Sequence, residues 1–232
     1  MLGIIIQLAI SWLIIWLFNK GNLNVLGFTP TKQRIFYFIL LFVVTALCFT
    51  SGIFLRICFG KEEWIVNPQL TPILFLKGLW WNIKAVLFEE LIFRGVLFYI
   101  LIKKLGVNKA ILISSIAFGI YHWFSSGVLG QPLPMLIIFI TTAIGGFLFA
   151  YSYYKTGSIW APIGIHLGWN FTQILIFSSG LIGNGVLILK TQPTITVSYF
   201  AYYLTTYLPI VSMLLLNFFI LKKAKPSGLA SS

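Results

Sequence analysis

The sequence predicts an all-α, polytopic transmembrane helix bundle of about seven spans. Three observations lead there. Of 232 residues, 59% are hydrophobic and only 9% are charged, whereas a soluble domain is about one-quarter charged. The mean hydropathy is +0.98. The apolar residues also fall into runs, and a helix needs about 20 of them to cross the hydrocarbon core. The net charge of +12 sits in short segments between those runs, as it does beside a membrane. No RNA-binding or helix-turn-helix pattern accompanies it. The expected surrounding is therefore the lipid bilayer, with no nucleic acid as partner.

Seven runs are candidate spans: about 2–18, 35–58, 72–102, 109–124, 133–154, 158–178 and 198–221. The first, "MLGIIIQLAISWLIIWLF", lacks a basic leading region and a small-residue cleavage site, and reads as a retained helix. The third is too long for one span. It contains Lys77 and Lys84, which suits a first part lying amphipathically at the interface. Residues 179–197 are punctuated by Gly, Thr and Pro, and read as a loop or re-entrant segment. Cys48 and Cys58 form no CxxC and imply no disulfide framework.

The basic residues orient the spans. Lys20, Lys32, Arg34, Lys103, Lys104, Lys109, Lys155, Lys222, Lys223 and Lys225 lie on one alternating set of connections and in the tail. The other set holds only Arg56, Lys61 and Lys190, beside Glu62 and Glu63. By the positive-inside rule the N-terminus is outside and the C-terminus cytoplasmic. There is no internal repeat, so a repeat-based transporter is not supported.

The polar residues inside the runs carry the functional signal. All four acidic residues are glutamates, and two of them, Glu89 and Glu90, stand in "FEELIFRG". In a helix Glu90 and Arg94 share a face and can pair. Glu89 projects about 100° away, with Phe93 rather than a base one turn on. Either Glu89 serves chemistry, or it is exposed at a helix end or kept protonated. The two histidines are His122, four residues after Phe118 in "FGIYHW", and His166, four residues before Asn170 in "HLGWN". Each alone reads equally as packing or interhelical glue. Counted at about 1.5 Å per residue from the cytoplasmic ends, Glu90, His122 and Asn170 reach similar depths of roughly 18–20 Å. Gly164 and Gly168, and Gly146 and Ala150, permit the close helix approach that a shared site requires.

A carboxylate and an imidazole can hold and deprotonate a water. A second imidazole and an amide can donate to a developing oxyanion. Glu89, His122 and His166 also form a ligand set suited to Zn2+ with a water in the open position. No HExxH and no GxSxG is present.

Taken together, "EELIFR", "FGIYH" and "HLGWN" resemble the EExxxR, FxxxH and HxxxN motifs of the CAAX-protease and bacteriocin-processing (CPBP, or Abi) intramembrane proteases. "KTGSIWAPIGIHLGWN" is also similar to its bacterial members. The resemblance covers the core 72–178, between N-terminal helices 1–71 and a segment 179–232 holding a loop, the last helix and a basic tail. It implies that Glu89 and His122 activate water, that Glu90 with Arg94 supports that helix, and that His166 and Asn170 stabilise the oxyanion. A metal and a metal-free mechanism both fit it. The expectation is a bacterial cell-membrane endopeptidase acting on a membrane-associated peptide or protein. The alternatives are a non-catalytic immunity or assembly factor and a proton-linked transporter.

Overall fold

A computed structural model describes residues 2–178, 185–190 and 197–224. Its helices are α1 (Leu2–Asn19), α2 (Lys32–Gly60), α3 (Pro72–Phe93), α4 (Val96–Leu105), α5 (Val107–Ser125), α6 (Pro132–Thr156), α7 (Trp160–Asn170) and α8 (Tyr199–Lys222). A π-helical segment, Phe171–Ile176, continues α7. Two three-residue strands, β1 (Trp64–Val66) and β2 (Leu187–Leu189), pair antiparallel with Ile65 opposite Ile188. The fold is all-α, as expected. Within 179–197 the described residues contain a strand and its flanks, while 179–184 and 191–196 lie outside the described residues.

Two of the expected spans are corrected. The run 72–102 is two helices, because the chain bends at Arg94 and Gly95. Glu89 and Glu90 thus stand near the C-terminal end of α3 rather than in the middle of a continuous span, and the depth count through 102 does not apply to them. The run 158–178 is an 11-residue α-helix followed by the π-helical turn. Among the described residues, four helices are long and apolar enough to cross a membrane: α1, α2, α6 and α8. In α3 the charges of Lys77, Lys84, Glu89 and Glu90 interrupt the apolar character. At about 1.5 Å per residue, ten-residue α4 reaches only about 15 Å, half the hydrocarbon thickness. Leu2, Leu17, Leu47, Phe54 and Phe219 are exposed, as suits a chain whose solvent is lipid.

The chain forms two compact units. One comprises Met1–Phe38, Leu87–Ile163 and Phe218–Ser232; the other comprises Ile39–Val86 and Gly164–Asn217. In the first, α5 packs most extensively on α6. Glycine permits this: a Cβ on Gly146 would lie 3.1 Å from the Phe118 ring and 3.3 Å from the Ser115 Cα. The connection from α6 to α7 is tied to the α1–α2 connection by successive carbonyls. The Tyr153 hydroxyl donates to Val25 O at 2.7 Å, Ile159 N to Leu26 O at 2.9 Å, Ser158 Oγ to Gly27 O at 2.9 Å and Trp160 Nε1 to Phe28 O at 2.9 Å. The Ser, Ile and Trp of "KTGSIW" therefore have a structural role, closing backbone groups that no helix satisfies.

In the second unit, α2 meets α8 through a buried polar bond from Asn217 Nδ2 to Thr45 Oγ1, 3.1 Å. It meets α7 at Gly168, where an added Cβ would approach the Phe42 Cα at 3.0 Å. Beyond the spans, Glu63 and Lys190 flank the strands and pair at 2.8 Å. This contact holds the Glu63 carboxyl below its ordinary range.

Adjacent glycines test the packing. Gly145 would place a Cβ no nearer than 4.0 Å to Phe149, so Gly145→Ala should leave stability unchanged or raise it by up to ~1 kcal/mol through helix propensity. Gly146→Ala should lower it by ~1–3 kcal/mol, because backbone of α5 must move. Thermal unfolding in detergent checks both, and equal effects contradict this packing.

Candidate active site

The bend after α3 is built around Arg94. The ladder ends with Arg94 N bonded to Glu90 O at 2.8 Å. Ser114 Oγ of α5 donates to Phe93 O at 2.9 Å, occupying a carbonyl at the end of α3. Gly95 is required here, since a Cβ would strike the Leu91 carbonyl. Arg94 and Glu90 are both fully buried. Arg94 Nη1 meets Glu90 Oε1 at 3.3 Å, the i,i+4 pair that the sequence predicts. Its Nη2 donates to Gly146 O of α6 at 3.1 Å. The guanidinium carbon stands 4.4 Å from the Phe118 ring centre, 5.0 Å from Phe149 and 5.7 Å from Phe93. A buried guanidinium thus exchanges water for one carboxylate, one carbonyl and three aromatic faces. Desolvated cation–π contacts contribute about 2 kcal/mol.

His122 stands on the last turn of α5. Its Nδ1 is 2.8 Å from Phe118 O. A carbonyl only accepts, so Nδ1 carries a proton. The ring packs edge-on against Phe118, 4.5 Å between centres, and Tyr121, 5.3 Å. The Phe of FxxxH thus serves twice: its carbonyl sets the imidazole tautomer and its ring covers Arg94. Glu89 is half-buried. Its carboxylate acts electrostatically on Arg94, more weakly than Glu90 does, and also on Tyr121. Glu89 therefore has a base within its field, although none lies one turn on.

Glu89, Glu90, Arg94 and His122 all lie in the first unit. His166 and Asn170 belong to the second unit, one turn apart on α7. His166 is buried and Asn170 half-buried. Asn170 is the last α-helical residue before the π-helical segment, where Thr172 Oγ1 donates to Gly168 O at 2.8 Å. Such π-turns are frequent at functional sites. Among the described residues, no three His, Cys, Asp or Glu side chains are gathered as a metal-binding group. Sequence reasoning missed Tyr121, Phe149, Ser114 and the Gly146 carbonyl. The i,i+4 spacing of Phe118 and His122 is the one signal that pointed to this second layer.

Comparison with known proteins bears on the same stretch. Residues 71–172 match the family described as "Type II CAAX prenyl endopeptidase Rce1-like". A Bacillus subtilis (strain 168) protein named "Putative membrane peptidase YdiL" is 36% identical over 108 residues, which cover 47% of this chain and 38% of that protein. No solved structure matches. Residues 71–172 are thus similar to CAAX-type membrane proteases, and the chain spans well under half the length of the relative it matches.

The two glutamates should separate in stability. Glu90→Gln leaves a buried guanidinium without its counter-ion, and should lower the unfolding free energy by about 3–5 kcal/mol. Glu89→Gln, half-buried and the weaker partner, should lower it by no more than about 1 kcal/mol. Thermal unfolding of both variants in one detergent decides this, and equal losses contradict the assignment.

Proposed function

We propose that the protein is an intramembrane endopeptidase hydrolysing a peptide bond of a membrane-associated or exported peptide or protein. The observation that carries this reading is the bond from His122 Nδ1 to Phe118 O. With that proton on Nδ1, the basic nitrogen of a neutral imidazole is Nε2, in the same unit as the Glu89 carboxylate. In this reading Glu89 takes a proton from water, with His122 Nε2 accepting a hydrogen bond from the same water and orienting it. The water oxygen attacks the carbonyl carbon. His166 and Asn170 donate to the oxyanion so formed. The proton held on Glu89 passes to the departing nitrogen, the C–N bond breaks, and a carboxylic acid and an amine leave. Glu90 is occupied by Arg94 and takes no part in proton transfer. The bilayer topology proposed with this places the N-terminus outside and the basic C-terminus in the cytoplasm of a bacterial cell. CAAX-type processing, bacteriocin processing and self-immunity are the family roles to which this activity is suited.

A second reading adds Zn2+, which Glu89, His122 and His166 would hold, although the described residues do not gather these three as a metal-binding group. The His122 bond favours it too, because a zinc-bound imidazole commonly donates its other N–H to a carbonyl or carboxylate. When bound, the ion would acidify its water and polarise the scissile carbonyl.

Glu89→Gln should retain the fold and lose cleavage, since an amide cannot take the proton. Asn170→Ala should lower the rate about 10²–10³-fold, as when one oxyanion donor is removed. Peptide products from proteoliposomes, analysed by mass spectrometry, give the readout. Cleavage that survives in Glu89→Gln contradicts the role given to Glu89, and no cleavage by the parent protein contradicts the peptidase reading. A protective phenotype that survives in Glu89→Gln at normal protein level supports a non-catalytic immunity factor, and proton-coupled flux in the same vesicles supports a transporter. For the metal, the expected result is about one zinc per chain, lost in His122→Ala and His166→Ala but kept in Asn170→Ala. Active protein without stoichiometric metal overturns the zinc reading alone.

A further inference from the structure

The second unit contains a cavity of about 190 Å³ between α2, α8 and the α7 helix with its π-helical continuation. None of the residues nominated for catalysis lines it. Its polarity is sorted along its length. Phe49, Ile53, Trp169 and Pro209 form an apolar inner wall, whereas Arg56, Gln173, Thr205 and Thr206 line the remainder. These polar groups share one end. Arg56 follows Phe49 on α2 by about two turns, roughly 10 Å. Gly52 rests against Pro209 and the Thr205 carbonyl, which matches α2 and α8 antiparallel and brings Thr205 and Thr206 toward the Arg56 end. Trp64 packs on both Arg56, 5.8 Å, and Phe177, 5.4 Å between ring centres. Gln173 therefore lies toward that end from Trp169.

The hydrogen-bonding capacity there is unequal. Arg56 uses Nε on Glu62 at 3.4 Å, and the neighbouring Glu62 carboxylate also accepts from Trp64 Nε1 at 3.1 Å. The Thr205 hydroxyl donates to Tyr202 O at 3.1 Å. Among the described residues, the two Nη groups of Arg56, the Thr206 hydroxyl and the Gln173 amide make no hydrogen bond to protein. A guanidinium edge, a hydroxyl and an amide N–H are a donor set for a tetrahedral oxyanion, and the planar fork suits phosphate in particular. Size narrows the ligand further. A pocket enclosing a whole drug-sized molecule measures about 300–1,000 Å³. This one takes only part of a ligand, with the rest outside. Large apolar residues are exposed on the same helices, including Leu47 and Phe54 on α2 and Leu208 on α8, which suits hydrocarbon as the rest of that ligand.

We infer that this cavity binds the phosphodiester head of a bilayer phospholipid, with Arg56, Thr206 and Gln173 holding the phosphate, Trp169 and Phe49 covering the glycerol, and the acyl chains lying along α2 and α8. This binding site is independent of the peptidase reading. The test uses the full chain in an uncharged detergent, with dihexanoyl-phosphatidylglycerol, dihexanoylglycerol and inorganic phosphate as probes, read by thermal midpoint and tryptophan fluorescence. The phospholipid should bind saturably and raise the midpoint, and the other two should bind at least tenfold more weakly. Arg56→Gln and Gln173→Leu should each weaken the phospholipid about tenfold, as expected for the loss of a hydrogen bond to a charged group. Thr206→Phe, on an exposed position of α8, should fill the cavity and abolish binding without lowering the lipid-free midpoint, which keeps the test valid if Arg56→Gln does not fold. Equal binding of dihexanoylglycerol overturns the phosphate contacts. Equal binding of inorganic phosphate overturns the lipid assignment in favour of a free anion. Undiminished phospholipid binding in Thr206→Phe and Gln173→Leu overturns the site.

Discussion

A guanidinium cannot be left without water and without a counter-charge, and Arg94 is fully buried. Most of the first unit's internal geometry answers that constraint. Glu90 supplies the charge from the preceding turn, and α6 supplies the Gly146 carbonyl. Phe93, Phe118 and Phe149 supply ring faces from three different helices. The pair is a requirement of burial more than a source of stability, because desolvating two charges offsets most of their attraction. Its effect is positional: three helices must stand where one side chain can reach all of them.

That requirement also divides the labour of two neighbouring carboxylates. Glu90 is committed to Arg94, whereas Glu89 projects to another side of α3, half-buried and close enough for its charge to act on Tyr121. Phe118 links the ion pair to His122, since its ring lies over Arg94 and its carbonyl fixes the imidazole proton on Nδ1. Gly146 completes the arrangement, because its missing side chain lets Phe118 sit close to α6 while its carbonyl receives Arg94. A motif that reads as separate spaced residues is, in space, one connected set of contacts.

Periodicity and spacing made some of this legible from the sequence. The Glu90–Arg94 pair follows from four-residue spacing alone, and the helical class follows from composition. The bend at Arg94–Gly95 did not follow, because the apolar run continues on both sides and hydropathy does not register a missing rung in the backbone ladder. The excessive length of that run was its only trace. The short α7 and its π-helical turn were hidden for the same reason. The strand pairing of 64–66 with 187–189 joins residues more than 120 positions apart, beyond any local pattern. The role of "KTGSIW" was also hidden, since its partners are three backbone carbonyls at Leu26 to Phe28, which carry no side-chain signature. Of the six nominated side chains, the structure brings four into one unit. The sequence named Phe118 but not its double use.

The central claim is that Glu90 and Arg94 act as one unit on which the placing of α3, α5 and α6 depends. A double-mutant cycle with Glu90→Gln and Arg94→Gln, measured as unfolding free energy in one detergent, tests it most directly. The double variant should be less destabilised than the sum of the two single variants by about 2–3 kcal/mol, because removing both charges leaves neither one buried alone. Additivity within about 0.5 kcal/mol would contradict the claim and reduce the pair to two independent packing residues.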